Sequence, residues 1–390
     1  MEFSKRMDIF GESVFTVMKN RRTVIEQQGR EVTDFSIGAP NIPPAPHIMK
    51  VIAEESMKPE NYLYAIVDQP DMLEAVVQWY KRRYDVDIAP KNIVSVLGSQ
   101  EGLSHIGLSV LNEGDVVLLP EPCYPVFHDG SALAGAEIHY MPLLEENDYI
   151  IDLSAIPEDI ASRAKLMIVC YPNNPTCALA PDSFYEELIA FAKKYDIIVI
   201  HDNAYSELVF DGNTCGSFLR FPGAMEVGVE FNSLSKTYGM AGARVGFCIG
   251  NEQVVANLRT LKSNLDFGIF LPIQKAAVAA VTGDQSCVEE VRNAYAARRD
   301  YLVEELGKIG WKITKPAGTM FVWAKLPEAW QDDQEFCIAL LEEAGVSVTP
   351  GSAFGDLGKG YVRFALVRTQ DEMARAFARI RESGVLEGKK

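Results

Sequence analysis

The chain is poor in positive charge, in histidine and in long apolar runs. Lysine and arginine number 37 against 54 aspartates and glutamates, a formal net charge of −17 over 390 residues. A surface this acidic repels a phosphate backbone, and no basic patch offsets it, which argues against nucleic-acid binding. No stretch approaches the length of a membrane span. The N-terminal MEFSKRMDIFGESVF is charged throughout and lacks the apolar run of a signal peptide. The cysteines (Cys123, Cys170, Cys177, Cys215, Cys248, Cys287, Cys337) fall in no C-x-x-C or other ligand spacing, and His47, His105, His128, His139 and His201 do not cluster. The expectation is a cytoplasmic protein with reduced thiols, no metal centre and no membrane partner. Scarce cations also carry a positive implication: any anionic ligand must be held by a few side chains that can be named one by one.

What is present is enough apolar sequence, 48% of the residues, for a large core and more than one domain. From about residue 92, short β-branched runs alternate with helical patterns. The strand candidates are IVSVLG (93–98), DVVLLP (115–120), AEIHYMPL (136–143), KLMIVCYP (165–172), DIIVIHD (196–202), VEFNSLS (229–235) and RVGFCIG (244–250). Several are apolar almost throughout, as strands covered on both faces are. Helical segments such as 101–112 and 182–195 lie between them. Strand and helix in alternation predict an α/β fold with a mostly parallel seven-stranded sheet. The flanks differ. A long amphipathic helix over 286–307 is followed by the strand-like WKITKP, TMFVWAKL, VSVTPG and YVRFALV, with helices at 332–345 and 370–383. VTDFSIG near the N-terminus groups with them. The expected division is a large domain over 46–285 and a small, discontinuous α+β domain from 1–45 and 286–390.

Ligands of open α/β sheets bind beyond the carboxyl ends of the strands. IVSVLG runs into Ser99-Gln100-Glu101-Gly102 and a helix start, which offers a phosphate free N–H groups, although a capped helix start needs no ligand. DVVLLP leads to Tyr124, and KLMIVC to YPNNPT with Asn174. DIIVIHD ends on Asp202, an acid that burial penalises unless it is paired, with Tyr205 three residues on. VEFNSLS delivers Lys236, Arg244 opens the next strand candidate, and Arg363 sits within YVRFALV. Each charge taken singly has a surface salt bridge as its plain explanation. Together they bring an imine-forming amine, an acid for a ring nitrogen and a phosphate site to one sheet edge, which is what pyridoxal 5′-phosphate requires.

SLSKTYGMAGARVG (233–246), with YPNNPT and D-x-A-Y in order and at the expected distance, resembles the class I aminotransferases of fold type I over essentially the whole chain. GSQEGL, YSELVFDG, LKSNLDFGIF and VTPGSAFG are most similar to the LL-diaminopimelate and alanine aminotransferase branch. The resemblance implies that Lys236 joins the cofactor as an internal aldimine and later acts as the base. Asp202 would hold the pyridine nitrogen protonated, Tyr205 and Asn174 would bond the ring oxygen, and Tyr124 would stack on the ring. Ser99, Gln100, Ser233, Ser235 and Arg244 would serve the cofactor and its phosphate. Tyr64 would reach the phosphate of a second copy, making a homodimer with shared sites. Arg363 would clamp the substrate α-carboxylate, helped by the backbone at Gly38 and by Asn174. An amino acid and a 2-oxo acid would then exchange an amino group by a ping-pong route.

The sequence departs from the branch at Cys177 and Gln69, which stand where glycines are usual, and at G-M-A-G-A-R where diaminopimelate enzymes have N-M-T-G-W-R. No cofactor position is lost, so the departures bear on substrate. Aspartate specificity needs a second cation, for which His128 and Lys262 are the nearest candidates, both expected to be solvated. Alanine/glutamate or LL-diaminopimelate substrates fit better. A C–S β-lyase on the same fold shares the cofactor residues and remains the alternative, with aspartate aminotransferase behind it. A regulator with an aminotransferase-like half would need a basic helix-turn-helix before residue 40, and none is present.

Overall fold

The computed structural model describes residues 1, 3–10 and 14–388; the other members of the expected 1–45 and 286–390 unit lie outside the described residues. Its strands, in chain order, are β1 (Thr33–Asp34), β2 (Ile93–Val96), β3 (Val116–Glu121), β4 (Glu137–Pro142), β5 (Ala164–Cys170) and β6 (Ile198–Asp202), then β7 (Gly228–Ser233), β8 (Gly246–Gly250), β9 (Phe321–Lys325), β10 (Val346–Ser347), β11 (Thr349–Pro350) and β12 (Tyr361–Ala365). Seven of them form one sheet in the order β2-β8-β7-β6-β5-β3-β4. Only β8 runs antiparallel, to both β2 and β7. The predicted mostly parallel seven-stranded sheet is the one found.

Alternation along the strands explains why helices cover both faces. In β3, Val116 and Leu118 join one apolar cluster, while Val117 and Leu119 join another. The first cluster takes its other side from helices Pro70–Tyr84, Asp182–Tyr195 and Leu271–Thr282, the second from Ser99–Val110 and Glu252–Leu265. The helix Asp182–Tyr195 illustrates the local rule. Phe184, Tyr185, Leu188, Ile189 and Ala192 are its buried stripe, Asp182 opens it, Lys193 and Lys194 lie in its last turn, and Asp196 ends it at φ 55°.

A third apolar cluster underlies β9–β12 and the helices Ser286–Lys308, Asp333–Ala344 and Gln370–Ser383. There β11, β12 and β9 form an antiparallel sheet, and β1 pairs in parallel with β10. Two expectations need correction. WKITKP is not a strand: Trp311 is buried and donates its ring N–H to the Lys325 carbonyl at 2.8 Å, so the side chain anchors a segment whose backbone joins no ladder. RVGFCIG starts at Gly246, because Arg244 is left-handed at φ 56° and turns its guanidinium back to the Leu97 and Ala241 carbonyls.

Candidate active site

The carboxyl ends of β5, β6 and β7 open onto a cavity of about 390 Å³, lined by Gly38, Ser99, Gln100, Tyr124, Asn174, Asp202, Tyr205, Ser233, Ser235, Lys236, Arg244 and Arg363. Every residue expected of the site reaches it except Tyr64. That ring lies outside, 82% exposed and 5.7 Å from Phe267. Sequence reading missed Ser36, Ile37, Ala39, Ala204, Ala241 and Phe321, which also face the cavity. The fully apolar neighbourhood of Phe321 gave no signal, although the exposure of Ile37 beside Gly38 would be expected for a cleft wall.

Lys236 belongs to a one-turn helix, Leu234–Thr237, that begins where β7 ends, with Ser233 Oγ accepting from the Ser235 N–H at 3.1 Å. Its Nζ donates to the Gly38 carbonyl at 2.7 Å. Burial, then the charges of Arg363 and Arg244, pull the amine down to about 8. A low pKa suits an amine that must be neutral to attack a carbonyl. A Cβ at Gly38 would stand 2.7 Å from the Phe321 ring, so a larger residue there would have to displace that ring.

Asp202, the last residue of β6, is buried, and its Oδ1 has no partner among the described residues. Burial raises it to about 7, against the opposing pull of Lys236. A buried carboxylate oxygen without a donor is costly. A protonated ring nitrogen would supply the missing donor, so the residues present fit the expected cofactor. Tyr205, close behind, is pushed well above its ordinary value by burial and then by Asp202, and it stays a neutral donor.

Elsewhere in the cavity wall the helix Ser99–Val110 starts without a side-chain cap. The Glu101 N–H turns back to the Gly98 carbonyl at 3.1 Å, which leaves the Ser99 and Gln100 N–H groups without a backbone partner among the described residues. Gly98 precedes the helix at φ +79°, and an added Cβ would come within 2.5 Å of Arg244 Nη2. Only a glycine lets the arginine cross the loop there. Free amides, a helix N-terminus and a guanidinium thus converge where a phosphate would sit.

Arg363 is 4% exposed and forms no ion pair among the described residues. Nη1 donates to Asn174 Oδ1 at 2.7 Å, Nη2 to the Ser36 carbonyl at 3.2 Å, and Nε has no partner. Its guanidinium lies 4.0 Å from the Phe321 ring centroid and 4.6 Å from that of Phe354. Burial lowers it to about 10. Held in place by neutral groups, it retains a full charge for an incoming carboxylate.

The two other cations considered for a second carboxylate lie elsewhere. His128 Nδ1 is 3.2 Å from Asp129. Lys262 is not solvated as expected; it is buried and bonded to Glu101 and Asp266. Cys177 occupies a left-handed position, φ 66°, which accounts for a glycine being usual there, whereas Gln69 has φ −67° and places no such demand.

The profile of the family described as aminotransferase class I and II matches residues 30–380. The LL-diaminopimelate aminotransferase of Moorella thermoacetica is 41% identical over 383 residues, 98% of each chain. The glutamate-pyruvate aminotransferase AlaC of Escherichia coli is 39% identical over 380 residues, 96% of this chain and 92% of its own. The apo structure of BacF from Bacillus subtilis superposes with a TM-score of 0.95 at 36% identity, covering 100% of both chains. With likeness running from end to end in both sequence and fold, this chain belongs to the class I and II aminotransferases and is an aminotransferase of fold type I.

Proposed function

We propose that the chain uses pyridoxal 5′-phosphate to move an amino group between an L-amino acid and a 2-oxo acid, with the alanine/glutamate or LL-diaminopimelate type of substrate. The observation that carries this reading is the pairing of two incomplete groups in one cavity: Asp202 lacks a donor and Arg363 lacks an anion. When bound, the cofactor supplies an aldehyde that joins an amine and a ring that accepts the electron pair left at the substrate Cα. Ser99, Gln100, Ser233, Ser235 and Arg244 hold its phosphate end. Asp202 keeps the ring nitrogen protonated, Tyr124 covers a ring face, and Tyr205 with the Asn174 amide donates to the ring oxygen. Arg363 takes the substrate carboxylate and fixes Cα within reach of Lys236, which moves the Cα proton once its amine is free. The product oxo acid leaves before the second substrate enters, and ping-pong kinetics follow.

The cavity's cations bear on the choice of substrate. Among the described residues that line it, only Lys236, Arg244 and Arg363 are cationic, and each already has a task. No cation of this cavity is left over for a second carboxylate, whether of aspartate, glutamate or diaminopimelate, so the charges of one protomer favour the single carboxylate of alanine. The relatives named for diaminopimelate and for glutamate-pyruvate exchange favour the assigned pair.

Homodimer formation with shared sites belongs to the same reading. Tyr62, Leu63, Tyr64, Ile66, Val67, Leu265, Phe267 and Phe270 form an exposed apolar face beside a depression of about 540 Å³. A second copy covering this face would bring Tyr64 to the neighbouring cofactor. Largely separate apolar clusters support the division into 46–285 and 1–45 with 286–390, with Ala204, Tyr205, Leu208 and Phe210 of the larger span packed into the second cluster. Among the described residues no helix is long and apolar enough to cross a membrane, and we place the enzyme in the cytoplasm.

The test is a half-reaction screen in which the cofactor's visible absorbance is followed as each amino acid is added without an acceptor. Absorbance should fall with alanine or LL-diaminopimelate, and one equivalent of oxo acid should appear. No bound cofactor, or no response to any amino acid, would overturn the proposal. Continuous release of ammonia and pyruvate from cystine would assign a β-lyase instead.

A further inference from the structure

Outside the cavity, Glu101, His105 and Asp266 bring their ligand atoms within 4.8 Å of one another, as a metal site would. A cation already stands among them. Lys262 Nζ donates to Glu101 Oε1 at 3.0 Å and to Asp266 Oδ1 at 3.2 Å, and the residue is only 4% exposed. The second oxygen of Glu101 looks the other way. Oε2 accepts from the Leu97 N–H at 2.9 Å, while the Leu97 carbonyl accepts from Arg244 Nη2 at 3.0 Å. Both backbone groups of Leu97 are therefore fixed, one by the acid and one by the phosphate-side arginine. Gly98, Ser99 and Gln100 follow directly.

We infer that Lys262, acting through Glu101, is a positioning residue for the loop Leu97–Gln100 and hence for the cofactor's phosphate. The inference rests on the assignment of that loop as the phosphate site. Two physical effects support it. The ammonium fixes the Glu101 carboxylate, which in turn fixes the Leu97 amide at the helix entry. It also cancels a negative charge in the first helical turn, close to where a phosphate dianion is to bind. Without it the two acids, Glu101 and Asp266, would share only His105, whose Nδ1 lies 2.7 Å from Glu101 Oε1 and 3.6 Å from Asp266 Oδ2. The same lysine reaches further through its own carbonyl, which accepts from the N–H groups of Asp266 and Phe267, each at 3.0 Å. Gly268 N–H then bonds the Ala65 carbonyl at 2.8 Å, beside Tyr64. The side-chain charge itself joins Glu101 to Asp266 at the end of the helix Glu252–Leu265, and the backbone carries the path on from there.

The experiment measures dissociation constants of the full-length apoprotein for pyridoxal 5′-phosphate and for pyridoxal, which lacks the phosphate. Lys262→Gln is expected to weaken the phosphorylated ligand on the order of tenfold, a change of about 1.4 kcal/mol, while pyridoxal moves by less than about twofold. Glu101→Gln loosens the Leu97 amide but also removes a negative charge near the phosphate. These oppose each other, and the first should prevail, weakening the phosphorylated ligand by a smaller factor. Combining it with Lys262→Gln should give less than the product of the two effects, because the pair acts as a unit. If Lys262→Gln does not fold, Glu101→Gln alone decides. Wild-type affinity in both variants, or an equal loss for both ligands, would overturn the inference. A wild-type protein that does not distinguish the two ligands would instead overturn the phosphate site itself.

Discussion

Asp202 offers the sharpest test of the site, because its condition without cofactor has a calculable consequence. Its carboxyl is raised from 3.8 to about 7 by burial, a shift of roughly three units at 1.36 kcal/mol each, or about 4 kcal/mol. The native apoprotein holds this proton more tightly than the unfolded chain, so the contribution of Asp202 to stability falls as pH rises from about 4 to about 7 and is flat above. Asp202→Asn removes the titration. The variant should gain about 2 kcal/mol over wild type at pH 5.5 and about 4 kcal/mol at pH 8, so the gap widens by about 2 kcal/mol. The lower pH stays clear of the sequence pI near 4.8. Denaturant unfolding of both apoproteins at the two pH values measures it. Adding pyridoxal 5′-phosphate should then stabilise wild type more than the variant, since only the carboxylate pairs with a protonated ring nitrogen. A gap that does not change with pH would refute the account of Asp202 as a buried, unpartnered acid.

Three further outcomes follow from the geometry. Lys236→Ala should abolish turnover yet still bind the cofactor through the phosphate end, seen as ligand retained on gel filtration without the absorbance of an imine. Arg363→Lys should lower kcat/KM for the amino acid by about 2–3 kcal/mol, a factor on the order of a hundred, because a point charge cannot replace the two-pronged contact; the affinity for cofactor should be unaffected. At Cys177, whose φ is 66°, glycine relieves about 1–2 kcal/mol of left-handed strain and forfeits a buried side chain, so its net effect should be within about 1 kcal/mol. Cys177→Val should destabilise by more, measurable as a lower unfolding midpoint, because a β-branched residue is poorly tolerated there.

The sheet was legible because most of its strands are apolar on both faces, and a run such as KLMIVC needs no distant partner to declare itself. The site was legible for a related reason. In a mostly parallel sheet the residue after each strand falls at one edge, so Asp202 and the Lys236 turn could be gathered from local patterns alone. What stayed hidden depends on partners chosen across long stretches of chain. Arg363 is anchored by Asn174, 189 residues away, and Lys262 by Glu101, 161 residues away. No local period encodes such a choice, so Lys262 reads in sequence as one more surface cation. WKITKP failed for a similar reason: β-branched residues suggest a strand, but an indole anchoring itself to β9 settles the backbone otherwise.

The segment from Ser36 to Ala39 divides its labour between main chain and side chains. Its carbonyls steady the two cations that carry the chemistry, Ser36 for Arg363 and Gly38 for Lys236. Between and beside them, Ile37, 50% exposed, and Ala39 line the cavity. A carbonyl is present whatever residue supplies it. Substitutions at 37 and 39 can therefore reshape the cleft wall while the supports of amine and guanidinium stay as they are, which lets substrate preference drift on a fixed catalytic frame.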